Sequence, residues 1–146
     1  MAFIENLFLS LAEHIERYEH QDFLESVTGV CALVSSSNGN VGPQERARFK
    51  EVVRLLSRLK CYEADDVLDQ FNQDLKNIKN NAADAEKAVL QKVKGTIKSK
   101  SDKELILKIC WAMSRADGNV DRKEEVMIET IAKELGLNQR DIFNSY

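Results

Sequence analysis

The chain has 146 residues, 43% of them apolar and 31% charged, with a formal net charge of −3 and a pI near 5.5. That length points to one domain able to bury its own core, and the small acidic excess speaks against nucleic acid as the main partner, because phosphate binding needs a basic face. No apolar run approaches the ~20 residues of a membrane span, Met1–Ser10 lacks the basic start of a secretory signal, and three cysteines without a CxxC fit a reducing cytoplasm better than a disulfide framework.

One proline and six glycines predict long helices with few turns. Ile4, Leu7, Phe8, Leu11, Ile15 and Tyr18 recur at helical spacing and predict a first helix over 3–19. A second, over about 21–36, carries Phe23, Val27, Val30, Cys31 and Val34, and the polar run Ser35–Asn40 ends it. Pro43 opens a third at the first helical position, where its missing N–H costs nothing, and Phe49, Val52, Val53, Leu56 and Leu59 form its apolar face. Val67, Leu68, Phe71, Leu75 and Ile78 predict a fourth over about 62–78, which Asn80-Asn81 breaks. Ala85, Val89, Val93 and Ile97 suggest a fifth. Ser101-Asp102-Lys103-Glu104 has the form of a capping box, and the sixth helix behind it carries Leu105, Ile109, Cys110, Met113 and Ala116. Asp121-Arg122-Lys123-Glu124 resembles a second box, leading to Ile128, Ile131, Ala132 and Leu135, with Gly136 suited to the C-terminal cap. Asn138 starts a short eighth helix, and no strand pattern is present.

Residues 30–45 and 109–124 align without gaps at an offset of 79, with six of sixteen positions identical. Cys31 matches Cys110, Ser35 matches Ser114, Gly39-Asn40-Val41 matches Gly118-Asn119-Val120, and Glu45 matches Glu124. Phe49, Val52 and Leu56 continue the register onto Ile128, Ile131 and Leu135. Shared helical periodicity alone would not reproduce Gly-Asn-Val and the glutamate four residues later. The expected architecture is therefore one all-α domain over 1–146, of seven to eight helices, with a pseudo-repeated helical hairpin at about 21–60 and 102–137.

Ala116-Asp117-Gly118-Asn119-Val120-Asp121, with Glu124 and Ile131-Ala132-Lys133-Glu134-Leu135-Gly136-Leu137, resembles the TerB-like tellurite-resistance proteins. The first copy, from Val30-Cys31-Ala32 through Asn38-Gly39-Asn40-Val41 to Glu45, resembles the family's first motif, and the likeness covers roughly 20–144. It implies a compact helical domain acting in cytoplasmic stress responses such as tellurite resistance. It also implies acidic metal-binding candidates and work alongside other proteins of the same system, some of them in membranes. The helix from Asp102 to Ala116 with its Asp-Gly loop also resembles the TerB-like part of certain J-domain cochaperones, so the fold does not fix one role.

Two readings of the Asp117–Glu124 loop stand side by side. In the first it is a plain joint: Gly118 ends one helix, Asp121 caps the next and Glu124 reciprocates, with acids favoured in the first turn by the helix dipole. In the second, Asp117, Asn119 or a loop carbonyl, Asp121 and Glu124 form an all-oxygen set for a hard cation such as Ca²⁺ or Mg²⁺. Asp117 motivates the second reading, because a carboxylate at a helix C-terminus opposes the dipole. The set is not an EF-hand, since Arg122 stands where that loop needs Gly and Ile128 where it needs a bidentate Glu. In the first copy Asn38 and Gly42 replace Asp117 and Asp121, leaving Glu45 as the one formal charge.

Cys31 and Cys110 read as core residues, and His14 and His20 as surface residues with no ligand partner in sequence. Cys61, behind Lys60 at a helix start, is a candidate for a lowered thiol pKa. Lys87, Lys92, Lys94, Lys98, Lys100 and Lys103 form a basic stretch, and Glu63, Asp65, Asp66, Asp69 and Asp74 an acidic one. They read as solvated faces or as docking surfaces for oppositely charged proteins. No phosphate loop or nucleophile motif is present, so the expectation is a non-enzymatic module, either cation-binding or a metal-independent adaptor.

Overall fold

The computed structural model describes residues 2–14, 18, 20–39, 41–59, 62–116, 118–119 and 121–140, with side chains from residue 5 onward. Seven helices run through them: α1 (Ala2–Glu13), α2 (Gln21–Ser35), α3 (Pro43–Arg58), α4 (Ala64–Asn80), α5 (Ala82–Thr96), α6 (Lys100–Ser114) and α7 (Arg122–Glu134). No strand occurs among the described residues, and no helix is long and apolar enough to cross a membrane.

The centre is a pair of helices, α2 and α6. Apart from Glu25, every α2 residue from Phe23 to Ser35 is buried, and so is α6 from Leu105 to Ser114 except Lys108 and Trp111. A helix that is apolar nearly all round belongs in the interior, and Val27 to Val34 is such a stretch. Contacts between the two follow the 79-residue offset. The Tyr18 hydroxyl, ahead of α2, donates to Asp102 Oδ1 (2.9 Å). Near the middle, Cys110 Sγ reaches the Val30 carbonyl (3.9 Å), and at the far end Ser35 Oγ reaches Met113 Sδ (3.9 Å). The helices therefore run parallel, each residue lying close to its own counterpart. The flanking helices obey the same relation: α7 packs on α2, and its counterpart α3 packs on α6. The two hairpins are thus related by a pseudo-twofold axis along the α2–α6 seam.

The remaining helices close this unit. The α4–α5 hairpin covers the outer side of α2, with the Phe49 and Phe71 rings stacked at 3.7 Å between centroids. Gly29 is what lets α5 approach α2, since a Cβ there would meet both Val89 methyls at 3.1 Å. Leu7 and Leu11 anchor α1 on α6 and α3, and Arg58 lies over the Phe8 ring at 3.9 Å while binding Glu5 at 2.8 Å.

Three local expectations change. The first helix stops at Glu13, where the His14 N–H turns to Leu11 O (3.3 Å), instead of running to 19; residues 15–17 and 19 lie outside the described residues. The cap of α6 is Ser99, whose Oγ accepts from Asp102 N (3.4 Å), and Ser101 lies within the first turn. Both serines have an acid three residues on, but only the Ser99 register gives Asp102 the N3 position, and the Asp102 side chain is held by Tyr18. The third change, at Glu124, belongs to the site. Asn138 does begin a turn, accepting from Arg140 N (2.9 Å); the rest of the expected eighth helix falls outside the described residues.

Candidate functional site

The pseudo-twofold axis brings the two interhelical loops together at one end of the seam. Their backbones follow the same path. Gly39 and Gly118 both take positive φ (91° and 82°), where a side chain is strained. The N–H of Gly39 bonds Ser36 O (2.9 Å) and that of Gly118 bonds Arg115 O (3.0 Å). Ser37 N to Val34 O (3.2 Å) matches Ala116 N to Met113 O (3.1 Å), and Arg46 N to Gly42 O (3.1 Å) matches Glu125 N to Asp121 O (3.0 Å).

The side chains differ. Asp121 caps α7, its Oδ1 accepting from Lys123 N (2.8 Å) and Glu124 N (3.1 Å). Its Oδ2 accepts from Nδ2 of Asn38 (3.3 Å), which belongs to the first loop. Burial raises the Asp121 carboxyl, but these N–H donors and the nearby Arg48 charge outweigh it and hold the group below the usual carboxylate range. In the first copy Gly42 offers no side chain, and the cap runs the other way, with Glu45 Oε2 accepting from Gly42 N (3.2 Å).

Glu124 does not reciprocate the Asp121 cap. It turns into the interior, 1% exposed, and meets Arg48 of α3, itself 6% exposed, at 3.1 Å from Oε2 and 3.4 Å from Oε1. Arg48 also donates to Ser114 O (2.9 Å), one of the last α6 carbonyls. One arginine of the first hairpin therefore joins the end of α6 to the start of α7. Burial lifts the Glu124 carboxyl to about 6; Arg48 opposes the rise, and the charges of Asp121 and Glu45 add to it.

Of the acidic set read from the sequence, Asp121 lies between the loops, Asn119 is exposed, Glu124 faces Arg48, Glu45 holds its own helix start, and Asp117 lies outside the described residues. Among the described residues no three His, Cys, Asp or Glu side chains are grouped to hold a metal ion. Asn38 and Arg48 are the residues that sequence reading passed over. Arg48 left a trace: it stands in register with Val52 and Leu55 on the apolar stripe of α3, and its counterpart is Met127.

Elsewhere Cys31 and Cys110 are fully buried, as expected, His14 and His20 are exposed, and Cys61 lies outside the described residues. The basic stretch is partly neutralised, with Lys92 bridging Asp22 (3.3 Å) and Glu25 (3.1 Å) and Lys94 meeting Glu134 (3.3 Å). A cleft of about 860 Å³, lined by Trp111, Lys133 and Arg140 among others, adjoins the second loop through Arg115. Arg115 is held there over the Trp111 ring (4.5 Å) and by Glu125 (3.6 Å).

No curated protein and no solved structure matches the chain. The sequence model of one family, tellurite resistance protein TerB, matches residues 24–144, from the start of α2 past the end of α7. That span contains both hairpins, both glycine turns and the paired loops. The chain belongs to the TerB family of tellurite resistance proteins.

Proposed function

We propose that this protein acts without catalysing a reaction, as a cytoplasmic tellurite-resistance module that holds a hard divalent cation, Ca²⁺ or Mg²⁺, between its two loops. The observation that carries this reading is Asp121. Its carboxylate is ionised, fixed by two backbone N–H groups, and turned toward the other repeat at Asn38. Asp117 and Asn119, from the same loop, are the further oxygen donors that such an ion would use. Glu124 is better assigned to the fold than to the ion, because Arg48 already neutralises it. A set with two carboxylates and an amide would bind weakly and keep several waters on the ion.

Calorimetric titration of metal-stripped protein with Ca²⁺, Mg²⁺ and Mn²⁺ tests the proposal. The expected result is a saturable heat and a raised melting temperature, both lost in Asp117→Ala. No heat and no thermal shift with any ion, in wild type and variant alike, removes the cation from the function.

A metal-independent adaptor is the second reading, and the start of α4 favours it. Glu63, Asp65, Asp66 and Asp69 are exposed together there, beside a groove of about 470 Å³ reaching Tyr62 and Gln21. Such a face suits a basic segment of another stress-response protein, including the soluble part of a membrane protein. Affinity capture with Asp65→Lys/Asp66→Lys, beside a reversal of Lys92, Lys94 and Lys98, separates the faces. Unchanged partners in both rule out docking through charge.

A further inference from the structure

The α2–α6 seam holds a feature that the loops do not use. Cys31 and Cys110 are counterparts in the repeat, both with zero exposure, on the two parallel helices that form the pseudo-twofold axis. The thiol of Cys110 points at the Val30 carbonyl (3.9 Å), next to Cys31 in the chain, and interacts with the Cys31 thiol itself. Buried cysteines are usually isolated hydrophobes in function. Here the repeat places two of them in contact across the joint between the hairpins.

We propose that Cys31 and Cys110 are a latent disulfide, closed by a two-electron oxidant of the hydroperoxide class when the seam opens, so that oxidation ties the two hairpins together covalently. The chemistry needs only the two thiols and the oxidant. One cysteine, as thiolate, attacks the peroxide oxygen, the O–O bond breaks, and a sulfenic acid forms with release of water (or an alcohol). The other thiol attacks that sulfur, the S–O bond breaks, and a second water leaves; two thiols have lost two electrons and two protons, and the peroxide has gained them.

The packing supplies the gating. The thiolate is the reactive form, and burial, reinforced by Cys31 and by the Glu124 charge, pushes the Cys110 thiol well above its usual range. In the closed fold the pair is therefore inert. Opening of the seam returns both thiols to water and to an ordinary pKa, and their placement on facing helices makes each the other's nearest partner. Closure of the bond then restrains the chain between residues 31 and 110, which limits the unfolded ensemble and favours the closed seam.

The test uses the full chain carrying Cys61→Ser, so that two thiols remain. It is exposed to hydrogen peroxide at neutral pH, with and without urea below the unfolding transition, then unfolded, alkylated and mapped by mass spectrometry. The expected product is a monomer 2 Da lighter, without alkyl adducts, containing a peptide linked through Cys31 and Cys110. It should form at least ~10-fold faster in urea and melt at a higher temperature than the reduced chain. Two alkylated thiols after prolonged exposure, an intermolecular dimer, or sulfinic acids without the linked peptide would overturn the proposal. An unraised melting temperature would overturn the tying of the hairpins. Should the Cys61→Ser chain not fold, the same linked peptide is sought in the wild-type chain, where pairing of either cysteine with Cys61 counts against it.

Discussion

Gly39 and Gly118 hold the same left-handed turn, yet three residues beyond them the two helices begin by different means. In the first copy Glu45 reaches back to the N–H of Gly42. In the second, Asp121 satisfies the N–H groups ahead of it, which releases the matching glutamate, Glu124, to enter the core and meet Arg48. A single exchange of cap, Gly for Asp, thus frees a carboxylate for an interhairpin ion pair that the first copy lacks: Met127 stands at the counterpart of Arg48. Duplicated hairpins keep their backbone and diverge where one side chain relieves another of its local duty.

The largest break in this comparison comes from the ion pair itself. Arg48→Ala or Glu124→Ala leaves a buried charge without its partner and should cost ~3–5 kcal/mol each, whereas Glu45→Ala, at the counterpart of Glu124, should cost under ~1 kcal/mol. Replacing both partners together, as Arg48→Met with Glu124→Leu, should cost far less than the sum. Urea unfolding of the single and double variants measures the coupling, and additive losses would mean that the pair contributes nothing as a pair.

The next effect is one of pH. The folded chain holds the Glu124 proton to about pH 6, above the ordinary 4.5 of the group. Between those values the folded state binds more protons than the unfolded state, so this contribution to stability is complete below pH 4.5 and is lost as pH rises through 6, by about 2 kcal/mol at most. Asp121, held low, acts with the opposite sign and in a more acidic window, losing its contribution as pH falls through its folded value. The difference in melting temperature between wild type and Glu124→Gln should therefore change between pH 4.5 and 6 and level off above it; a difference independent of pH would sink the assignment.

The two turns should respond alike. A Cβ at Gly39 or Gly118 meets nothing within 4 Å, so Gly→Ala at either position costs only the left-handed backbone, ~1–2 kcal/mol. Unequal losses would show that the loops differ in backbone strain as well as in side chains. Smallest are the caps. Asp121→Ala should cost ~1 kcal/mol, and Gly42→Ser, which brings a hydroxyl cap to the first copy, should gain a few tenths, since its Cβ would lie 3.6 Å from Glu45 Oε2, an ordinary contact. A gain as large as the Asp121 loss would mean that Gly42 is a true gap in the first copy.

Much of this was legible in the residues. The apolar spacing located the seven helices, apart from the end of the first, because burial of one face is written into each segment. The matched Gly-Asn-Val with its following glutamate revealed the duplication, because a left-handed turn and a helix start need particular residue types at fixed spacing. Asp121 as a cap followed from the same local rules. The choice of Ser99 over Ser101 did not, since both satisfy the local pattern and a contact with Tyr18 accompanies the register adopted.

What only the tertiary structure decided are the meetings between residues about 80 positions apart. Nothing local to Glu124 says that it will leave its helix start for Arg48, and nothing local to Cys31 says that Cys110 will lie beside it. Local hydrogen bonding and periodicity are properties of a few consecutive residues. The partner of a buried charge or thiol depends on which helices cross, and here the pseudo-twofold packing of α2 against α6 made that choice.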